Sequence, residues 1–125
     1  MTGYLVGSTK DKSTASSAPM QKLQDGIWII DSHGETVYAN QRMAEILGTS
    51  SSEMIGQPSF VYVFPQDVPE AQRFFDAKKG GDINPFHFNL RRKDGSSVSV
   101  NVQGTPMYNA AGEFTGIVGT FTVSS

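Results

Sequence analysis

The sequence predicts an α+β domain in which short helices pack on one face of an antiparallel sheet. Apolar residues alternate with polar ones around TVYA and again in the last third of the 125-residue chain, whereas between these stretches they recur every three or four residues. The helical segments are grouped between two sets of strands, without the strand–helix alternation of a parallel sheet. With 38% hydrophobic residues, the chain suits one domain with a single modest core.

The chain divides into a lead-in and one domain. Residues 1–18 are dominated by the small, polar stretch GSTKDKSTASS, so we expect a flexible N-terminal segment. The single domain extends over residues 19–125. It opens with PMQKLQDG, in which Pro19 suits the first turn of a helix and Gly26 suits its end. This segment predicts a short amphipathic lead helix, which must lie on the sheet of its own chain or of a partner.

A hairpin and a helix follow. The β-prone runs IWIID and TVYA flank a turn in which Gly34 supplies a positive φ. At Asn40 the period becomes helical, with an apolar face from Met43 to Leu47 and Gly48 as terminator. Asn40 suits the N-cap, where a side-chain oxygen accepts a backbone N–H, and we prefer this structural role to contact with a ligand.

Two further helices precede the second set of strands. The first is a short helix in TSSSEMIG, with Ser50 or Ser51 as N-cap and Gly56 at its end. After an apolar run, Asp67 is predicted to cap a longer helix through VPEAQRFFDAKK. Two lysines lie in its last turn, where their positive charges interact favourably with the helix dipole.

The last third of the chain predicts three strands. FHFNL places Phe86, Phe88 and Leu90 on one side, KDGS forms a hairpin turn, and SVSVNV alternates again. FTGIVGTFTV makes the final strand after a second turn. Its glycines, Gly116 and Gly119, break the rows of side chains, and glycine in a strand often permits close approach by a backbone or a ligand.

Composition argues against several partners and compartments. The net charge is −2 and no dense Lys/Arg stripe occurs, so we expect no direct contact with nucleic acid. The apolar runs are too short to span a membrane and no signal peptide is evident, so we expect a cytoplasmic domain without direct membrane insertion. The absence of cysteine excludes disulfides, thiolate nucleophiles and cysteine zinc sites.

No catalytic motif of the hydrolase, zinc-protease or P-loop type occurs. Asp31, Glu35 and Glu53 lie at turns and helix starts, where capping explains them. The domain itself is therefore not expected to be an enzyme, and a small enzyme is kept as the weakest alternative.

Several motifs in a consistent order resemble the PAS sensory domains. They are DGIWIIDSHGETVYAN, LGTSSSEMIGQP, VFPQDVPEAQ, LRRKDGS and MYNAAGEFTGIVGTFTV, and together they extend from about Leu23 to Ser124. The resemblance implies a PAS-like five-stranded antiparallel sheet whose inner face and short helices enclose a pocket. It also implies a module of a larger bacterial-type signalling protein, such as a sensor histidine kinase of a two-component system, with a covalently linked output domain.

The resemblance also bears on haem and metals. Haem-binding members of the family generally take an axial histidine from the helix that here begins at Val68, and that helix contains none. Haem is therefore disfavoured, although Met43 stays open as an unusual ligand. His33 lies in a turn and His87 on the polar side of a strand, so neither predicts a metal ligand.

Covalent and non-covalent flavin binding have to be considered separately. The light-sensing members of the family carry a reactive cysteine, so a covalent flavin photoadduct is excluded here. A non-covalent flavin or another small organic ligand stays open. Trp28, Asn40 and Asn89 are the groups that could stack on an isoalloxazine or hydrogen-bond to it.

An aromatic-rich set of side chains is predicted to face inward. Tyr38 and Tyr62 are preferred as ligand contacts because a buried phenol needs a hydrogen-bond partner. Val118 is also predicted to face inward, and the hydroxyl of Thr120 would lie near the middle of the sheet. Whether these residues form a pocket or simply pack together is left open. The pocket candidates are Tyr38, Met43, Tyr62, Phe64, Phe75, Phe86, Phe88, Val102 and Thr120.

Two functional hypotheses follow. In the first, an effector or cofactor in the pocket, or a change in dimer contacts, alters the sheet, and the last strand passes this change to the output domain. In the second, the domain is a ligand-free homodimerisation scaffold. This homodimer would use the lead helix and the outer face of the sheet, where Trp28 or Ile30 would be exposed in a monomer.

Overall fold

The computed structural model describes residues 25–124, which form a five-stranded antiparallel sheet with helices between its second and third strands. The order across the sheet is β2-β1-β5-β4-β3, so the last strand lies at the centre, beside the first. The predicted α+β class with five antiparallel strands is confirmed. The strands are β1 (Gly26–Asp31), β2 (Thr36–Ala39), β3 (Phe86–Arg91), β4 (Ser97–Tyr108) and β5 (Phe114–Val123).

The helices are short. Two 3₁₀ turns, Ser59–Tyr62 and Pro65–Asp67, lead from the second helix into the third. Within the described part of the chain, no helix is both long and apolar enough to cross a membrane. The α-helices are α1 (Gln41–Leu47), α2 (Ser51–Met54) and α3 (Val68–Lys79).

The predicted lead helix falls mainly on residues 19–24, which lie outside the described residues. Its predicted last residue, Gly26, is instead the first residue of β1 and pairs with Phe121 of β5. A Cβ on Gly26 would lie 2.8 Å from Sδ of Met43, so the missing side chain lets α1 pack directly on this strand. Gly26 therefore ends no helix in the described structure.

Asn40 holds the corner where β2 turns into α1. Its Oδ1 accepts a hydrogen bond from the N–H of Met43 at 2.8 Å, which caps the helix, and another from the N–H of Ile27 at 3.0 Å. Its Nδ2 donates to the carbonyl of Asp25 at 3.2 Å. The predicted N-cap is confirmed, and the same side chain also ties the start of β1 to α1.

The other helix starts differ from each other. Ser50 caps α2, since its hydroxyl accepts a hydrogen bond from the N–H of Glu53 at 3.2 Å. Asp67 lies at the N-cap position of α3, but its side chain makes no capping hydrogen bond. Its φ of −99° and ψ of −1° are helical because it ends a 3₁₀ turn, whereas a capping side chain needs an extended residue. The prediction that Asp67 caps this helix is therefore wrong.

The hairpin between β3 and β4 closes the C-terminal end of α1. Arg92 Nε donates to the carbonyl of Ile46 at 3.1 Å, and the N–H of Lys93 donates to the carbonyl of Leu47 at 2.9 Å. The last carbonyls of a helix lack partners within it, and cations are favourable beside them. The hairpin therefore fixes the helical layer to the far edge of the sheet.

Trp28 and two glycines form a row across the inner face of the sheet. Trp28 of β1 pairs with Gly119 of β5, which pairs in turn with Gly104 of β4. Side chains of directly paired residues share a face. A Cβ on Gly104 would lie 3.1 Å from Cζ of Phe74 and 3.2 Å from Cε of Lys78. Gly104 therefore lets α3 approach the sheet closely, and Gly119 makes room for the ring of Phe121.

Replacing Asn40 by alanine is expected to lower the free energy of unfolding by about 2–3 kcal/mol, because a helix cap is lost and the N–H of Ile27 loses its acceptor. Urea unfolding followed by circular dichroism measures the change. Asn40→Asp is the matched control, since a carboxylate keeps both acceptor bonds and replaces the bond to the carbonyl of Asp25 by a repulsive contact between two oxygens. It should cost less than half as much, and an alanine variant as stable as the parent protein would contradict this role of Asn40.

Candidate functional site

A partly open cavity of about 80 Å³ lies between the inner face of the sheet, α3 and the Ser59–Tyr62 turn. Every strand except β2 contributes to it, and β5 contributes three residues. The lining is formed by Trp28, Ile30, Ser59, Phe60, Val63, Ala71, Phe74, Phe75, Phe86, Phe88, Leu90, Val102, Ile117, Gly119 and Phe121.

Aromatic rings form two opposite walls of the cavity. On one side the Phe86 ring centre lies 5.0 Å from that of Phe74 and 5.9 Å from that of Phe88. On the other side the Trp28 and Phe121 ring centres are 5.5 Å apart. These separations lie in the range where aromatic pairs stabilise each other, so the walls are held in place without a ligand.

Trp28 has no free polar atom to offer the cavity. Its Nε1 donates to Oγ1 of Thr36 at 2.9 Å, and Thr36 is only 1% exposed. This buried hydrogen bond sets the plane of the indole. Trp28 therefore presents an apolar surface to the cavity.

Ser59 carries the one uncommitted polar group among the side chains that line the cavity. It lies beside Phe60, a large aromatic residue that remains 38% exposed although it contributes to the lining. The opposite rim is α3, where Ala71 and Phe75 are half-buried. The mouth of the cavity therefore lies between the Ser59–Tyr62 turn and α3.

Lys78 is a buried cation behind the Phe74 wall. It is 1% exposed, and its Nζ donates to the carbonyl of Asn84 at 2.7 Å and lies 4.0 Å from Asp82. The ammonium is 5.4 Å from the centre of the Phe74 ring. Its charge is thus committed to the loop between α3 and β3 rather than offered to the cavity.

Part of the predicted pocket set comes together at the cavity. Phe75 of α3, Phe86 and Phe88 of β3, and Val102 of β4 all contribute to the lining. The alternation of β3 and β4 and the helical spacing of α3 were sufficient to identify them.

Other predicted pocket residues lie behind the walls. Tyr62 is buried and packs edge-on against Trp28, with ring centres 5.7 Å apart. Burial raises the pKa of the Tyr62 phenol, and a hydrogen bond with the Thr49 side chain opposes this effect. Met43 is fully buried in the core, and Phe64 is half-buried before the Pro65–Asp67 turn; neither lines the cavity.

Tyr38 and Val118 were predicted to face inward and Thr120 was predicted to line the pocket, and the structure contradicts these three predictions. Tyr38, which is 46% exposed, and Val118 both pair with Ile29 on the outer face, where Thr120 also lies. A bulge at Val37 breaks the alternation of β2, so Thr36 and Ala39 are the buried residues instead. A one-residue shift of this kind turns a side chain to the opposite face.

The scaffold hypothesis placed Trp28 or Ile30 on the outer face of the sheet, and this too is wrong. Trp28 is 5% exposed, and both residues line the cavity. The run IWII is apolar at every position, so alternation cannot decide which residues face inward. Trp28 pairs with Gly119 of β5, and the space above this glycine is filled by the ring of Phe121, which packs against the indole.

The remaining lining residues were not proposed as site residues. Ala71 and Phe74 share the helical face of Phe75, which the three-and-four spacing indicates. Ile117, Gly119 and Phe121 alternate along β5, but the last strand contains apolar residues in both phases. The turn residues have no periodic signal and follow only from the folded chain; they are Ser59, Phe60 and Val63.

The groups proposed for a non-covalent flavin are not gathered at the cavity. Asn40 uses its side chain at the corner of β2 and α1. The Oδ1 of Asn89 accepts a hydrogen bond from the Ser99 hydroxyl at 2.6 Å, on strands that pair at the edge of the sheet, away from the cavity lining. Only Trp28 reaches the cavity, so the residues present do not fit an isoalloxazine in the way that was proposed.

The histidines lie apart from the cavity. His33 and His87 are exposed, and Nδ1 of His87 lies 3.0 Å from Oδ1 of Asn101 on the neighbouring strand. Residues 25–124 contain no group of three or more His, Cys, Asp or Glu side chains that could hold a metal ion.

The acids considered as catalytic groups make structural contacts. Oδ1 of Asp31 accepts hydrogen bonds from the N–H groups of His33 and Glu35 in the first hairpin turn. Glu53 accepts from the Thr49 hydroxyl at 2.7 Å and from Lys93 Nζ at 3.0 Å to both oxygens. The Thr49 hydrogen bond, followed by Lys93, lowers the pKa of the Glu53 carboxyl.

Comparison with known proteins finds one matching protein family and several solved structures with a similar fold. A family model described as the PAS fold matches residues 17–123. A structure of a light-oxygen-voltage domain, studied with a flavin analogue, has 21% identity over 86% of this chain and 82% of that chain, with a TM-score of 0.71. No curated protein matches the chain.

Two further structures are similar. Cycle PAS-B of Drosophila melanogaster, solved with bound ethylene glycol, has 16% identity over 79% of this chain and 99% of that chain, with a TM-score of 0.69. A sensory box histidine kinase/response regulator from Burkholderia thailandensis has 18% identity over 83% of this chain and 79% of that chain, with a TM-score of 0.64. At these identities the similarity shows a shared fold.

Trp28→Phe is expected to lower the free energy of unfolding by about 1–3 kcal/mol, because the buried hydroxyl of Thr36 loses its partner. Thermal or urea unfolding measures the change. In a double-mutant cycle with Thr36→Val, the double variant should be more stable than the sum of the two single losses predicts. Additive losses would show that the hydrogen bond does not hold the indole.

Gly119→Ala is expected to cost about 1–3 kcal/mol of unfolding free energy by overpacking. The new Cβ would lie 2.7 Å from Cε1 of Phe121, so the ring must move. Chemical shifts of the Phe121 ring and fluorescence of Trp28, the single tryptophan of the chain, report the movement. Gly80→Ala is the matched control, since φ there is −83° and its Cβ would meet only ordinary contacts from 3.5 Å. Equal behaviour of the two variants would contradict the prediction.

Proposed function

The chain belongs to the PAS family, and we propose that it is the sensory domain of a larger signalling protein, in which a small molecule in the cavity changes β5 and thereby a covalently linked output domain. The family and the fold support a signalling role. The identity of the ligand and the coupling to an output domain are the parts that we propose. The domain itself is proposed to bind rather than to catalyse.

The position of β5 carries this proposal. It is the central strand of the sheet, and its residues Ile117, Gly119 and Phe121 line the cavity. The strand ends at Val123, so a segment that follows Ser125 would be attached almost directly to a cavity wall. A ligand that contacts these residues acts on the strand without an intermediate element.

The Phe121 ring is the group that a ligand would move. It lies over Gly119 of its own strand and beside Trp28 of the neighbouring strand. A ligand shifts the balance between two ring positions only if it binds more tightly to one of them. Because the cavity lies beside this ring, its occupancy favours the position that leaves the larger space.

Mass spectrometry and NMR test the proposal on the purified 125-residue protein. We expect a native mass spectrum to show an added small mass that denaturation releases. Removal of that mass should shift the amide resonances of residues 122–124, beyond the cavity. A protein without added mass, whose stability is unaffected by a metabolite library, would contradict the proposal.

The variant Ala71→Leu tests whether the ligand binds in the cavity. Ala71 lines the cavity from α3, and leucine suits a helix while filling the space. We expect this variant to lose the added mass and to keep its fold. Ala77→Leu is the matched control, since Ala77 is exposed on the same helix and is not part of the lining. Loss of the ligand from both variants would contradict the assignment to this cavity.

An apolar patch on the outer face of the sheet suggests a second role for the domain, namely homodimerisation. Ile27 and Ile29 of β1, with Val118 of β5 and Tyr38 of β2, form an apolar patch on this face. The predicted lead helix directly precedes β1. We propose that two copies associate through that helix and this patch.

A charge in the patch tests the dimer. Ile29→Lys should convert a dimer to monomers in sedimentation velocity, because a buried ammonium would lack a partner. Thr122→Lys is the control, since Thr122 is exposed on the polar part of the same face. The proposal fails if the parent protein is a monomer or if both variants stay dimeric.

A further inference from the structure

We infer that the cavity takes a neutral, weakly polar molecule no larger than about a single aromatic ring, with the hydroxyl of Ser59 as its hydrogen-bonding contact. This inference rests on the proposed ligand-binding function and narrows it to one chemical class. The charge, the hydrogen-bonding capacity and the size of the cavity support it separately.

Charge is the first argument. None of the side chains that line the cavity is ionisable, so a charged ligand would be desolvated there without a partner, which is costly. The nearest buried cation is Lys78, whose ammonium is hydrogen-bonded to Asn84 behind the ring of Phe74. It repels a ligand cation, and it is not directed to a ligand anion. A neutral ligand meets neither difficulty.

Hydrogen-bonding capacity is the second argument. Two side chains of the lining contain a nitrogen or oxygen, namely Trp28 and Ser59. The indole N–H is already bonded to Thr36. Strand backbone groups on β4 and β5 are engaged in antiparallel pairing. The hydroxyl of Ser59 is therefore the remaining side-chain group of the lining that can bond to a ligand, which suits a ligand with at most one polar group.

Size and shape are the third argument. The cavity volume of about 80 Å³ is roughly half that of an engineered apolar cavity of about 150 Å³ that binds benzene. Part of a single ring would extend into the mouth, and a fused tricyclic ring would not be enclosed. The ring pairs Phe74–Phe86 and Trp28–Phe121 line the space with aromatic surface, which favours a compact apolar group.

A probe series with a constant ring and a changing charge tests this inference. The series is toluene, benzyl alcohol, benzylammonium and benzoate, with riboflavin as a separate, larger neutral probe of size, each added to the purified protein after any native ligand has been removed. Trp28 fluorescence and amide shifts of cavity residues report binding, since the chain has one tryptophan and it lies in the cavity wall. We expect toluene and benzyl alcohol to bind at least about tenfold more tightly than the two charged probes. Riboflavin should not bind.

Ser59→Ala and Ala71→Leu, with Ala77→Leu as a control, test which residues contact the probes. Ser59→Ala should weaken benzyl alcohol by about three- to tenfold and leave toluene unchanged, because one neutral hydrogen bond is lost. Ala71→Leu should abolish binding of both probes, whereas Ala77→Leu should not. An effect of Ser59→Ala on toluene equal to that on benzyl alcohol would overturn the role given to the hydroxyl.

The outcomes separate the two proposals. If benzoate, benzylammonium or riboflavin binds the cavity as tightly as toluene, the ligand class is wrong while ligand sensing stands. If neutral probes bind but residues 122–124 do not respond, the class stands and the coupling through β5 fails. If no probe binds and no native ligand is found, both proposals fail.

Discussion

The close contact between side chains and a glycine backbone on the inner face of the sheet is the constraint on which the cavity depends. Gly104 lies against Phe74 and Lys78, and Gly119 lies against Phe121. A side chain at either glycine would displace one wall or the other. The same two positions therefore determine how near α3 lies to the sheet and how much space remains beside Trp28.

The buried lysine extends this constraint to the edge of the sheet. Burial of an ammonium is costly unless it is hydrogen-bonded, and the carbonyl of Asn84 provides that bond. Because Asn84 lies just before β3, the bond fixes the loop through which Phe86 enters the sheet. Gly104, Lys78 and Asn84 thus connect the packing of α3 to the position of the Phe86 wall. An apolar cavity is held in shape by a polar contact outside it.

The sequence predicted what depends on local patterns. The strands, the helices and the N-cap at Asn40 each follow from residues close together in the chain, and so do the cavity positions of Phe75 and Phe86. The orientation of β1 does not, because IWII is apolar on both faces. It is set only once β5 lies beside β1, where Trp28 pairs with Gly119 about 90 residues later. The bulge that exposes Tyr38 likewise has no signal in the short run TVYA.

The alternation of β5 makes the two proposed roles parts of one mechanism. Ile117, Gly119 and Phe121 face the cavity, while Val118 lies between two of them and faces the outer patch with Ile29. A strand is pleated, so a rotation that moves Phe121 also moves its outward neighbours. Ligand in the cavity and association through the patch therefore act on the same backbone. If a ligand binds the cavity and two copies associate through the patch as proposed, a ligand that stabilises one position of β5 changes the affinity between copies, and association changes ligand affinity by the same factor.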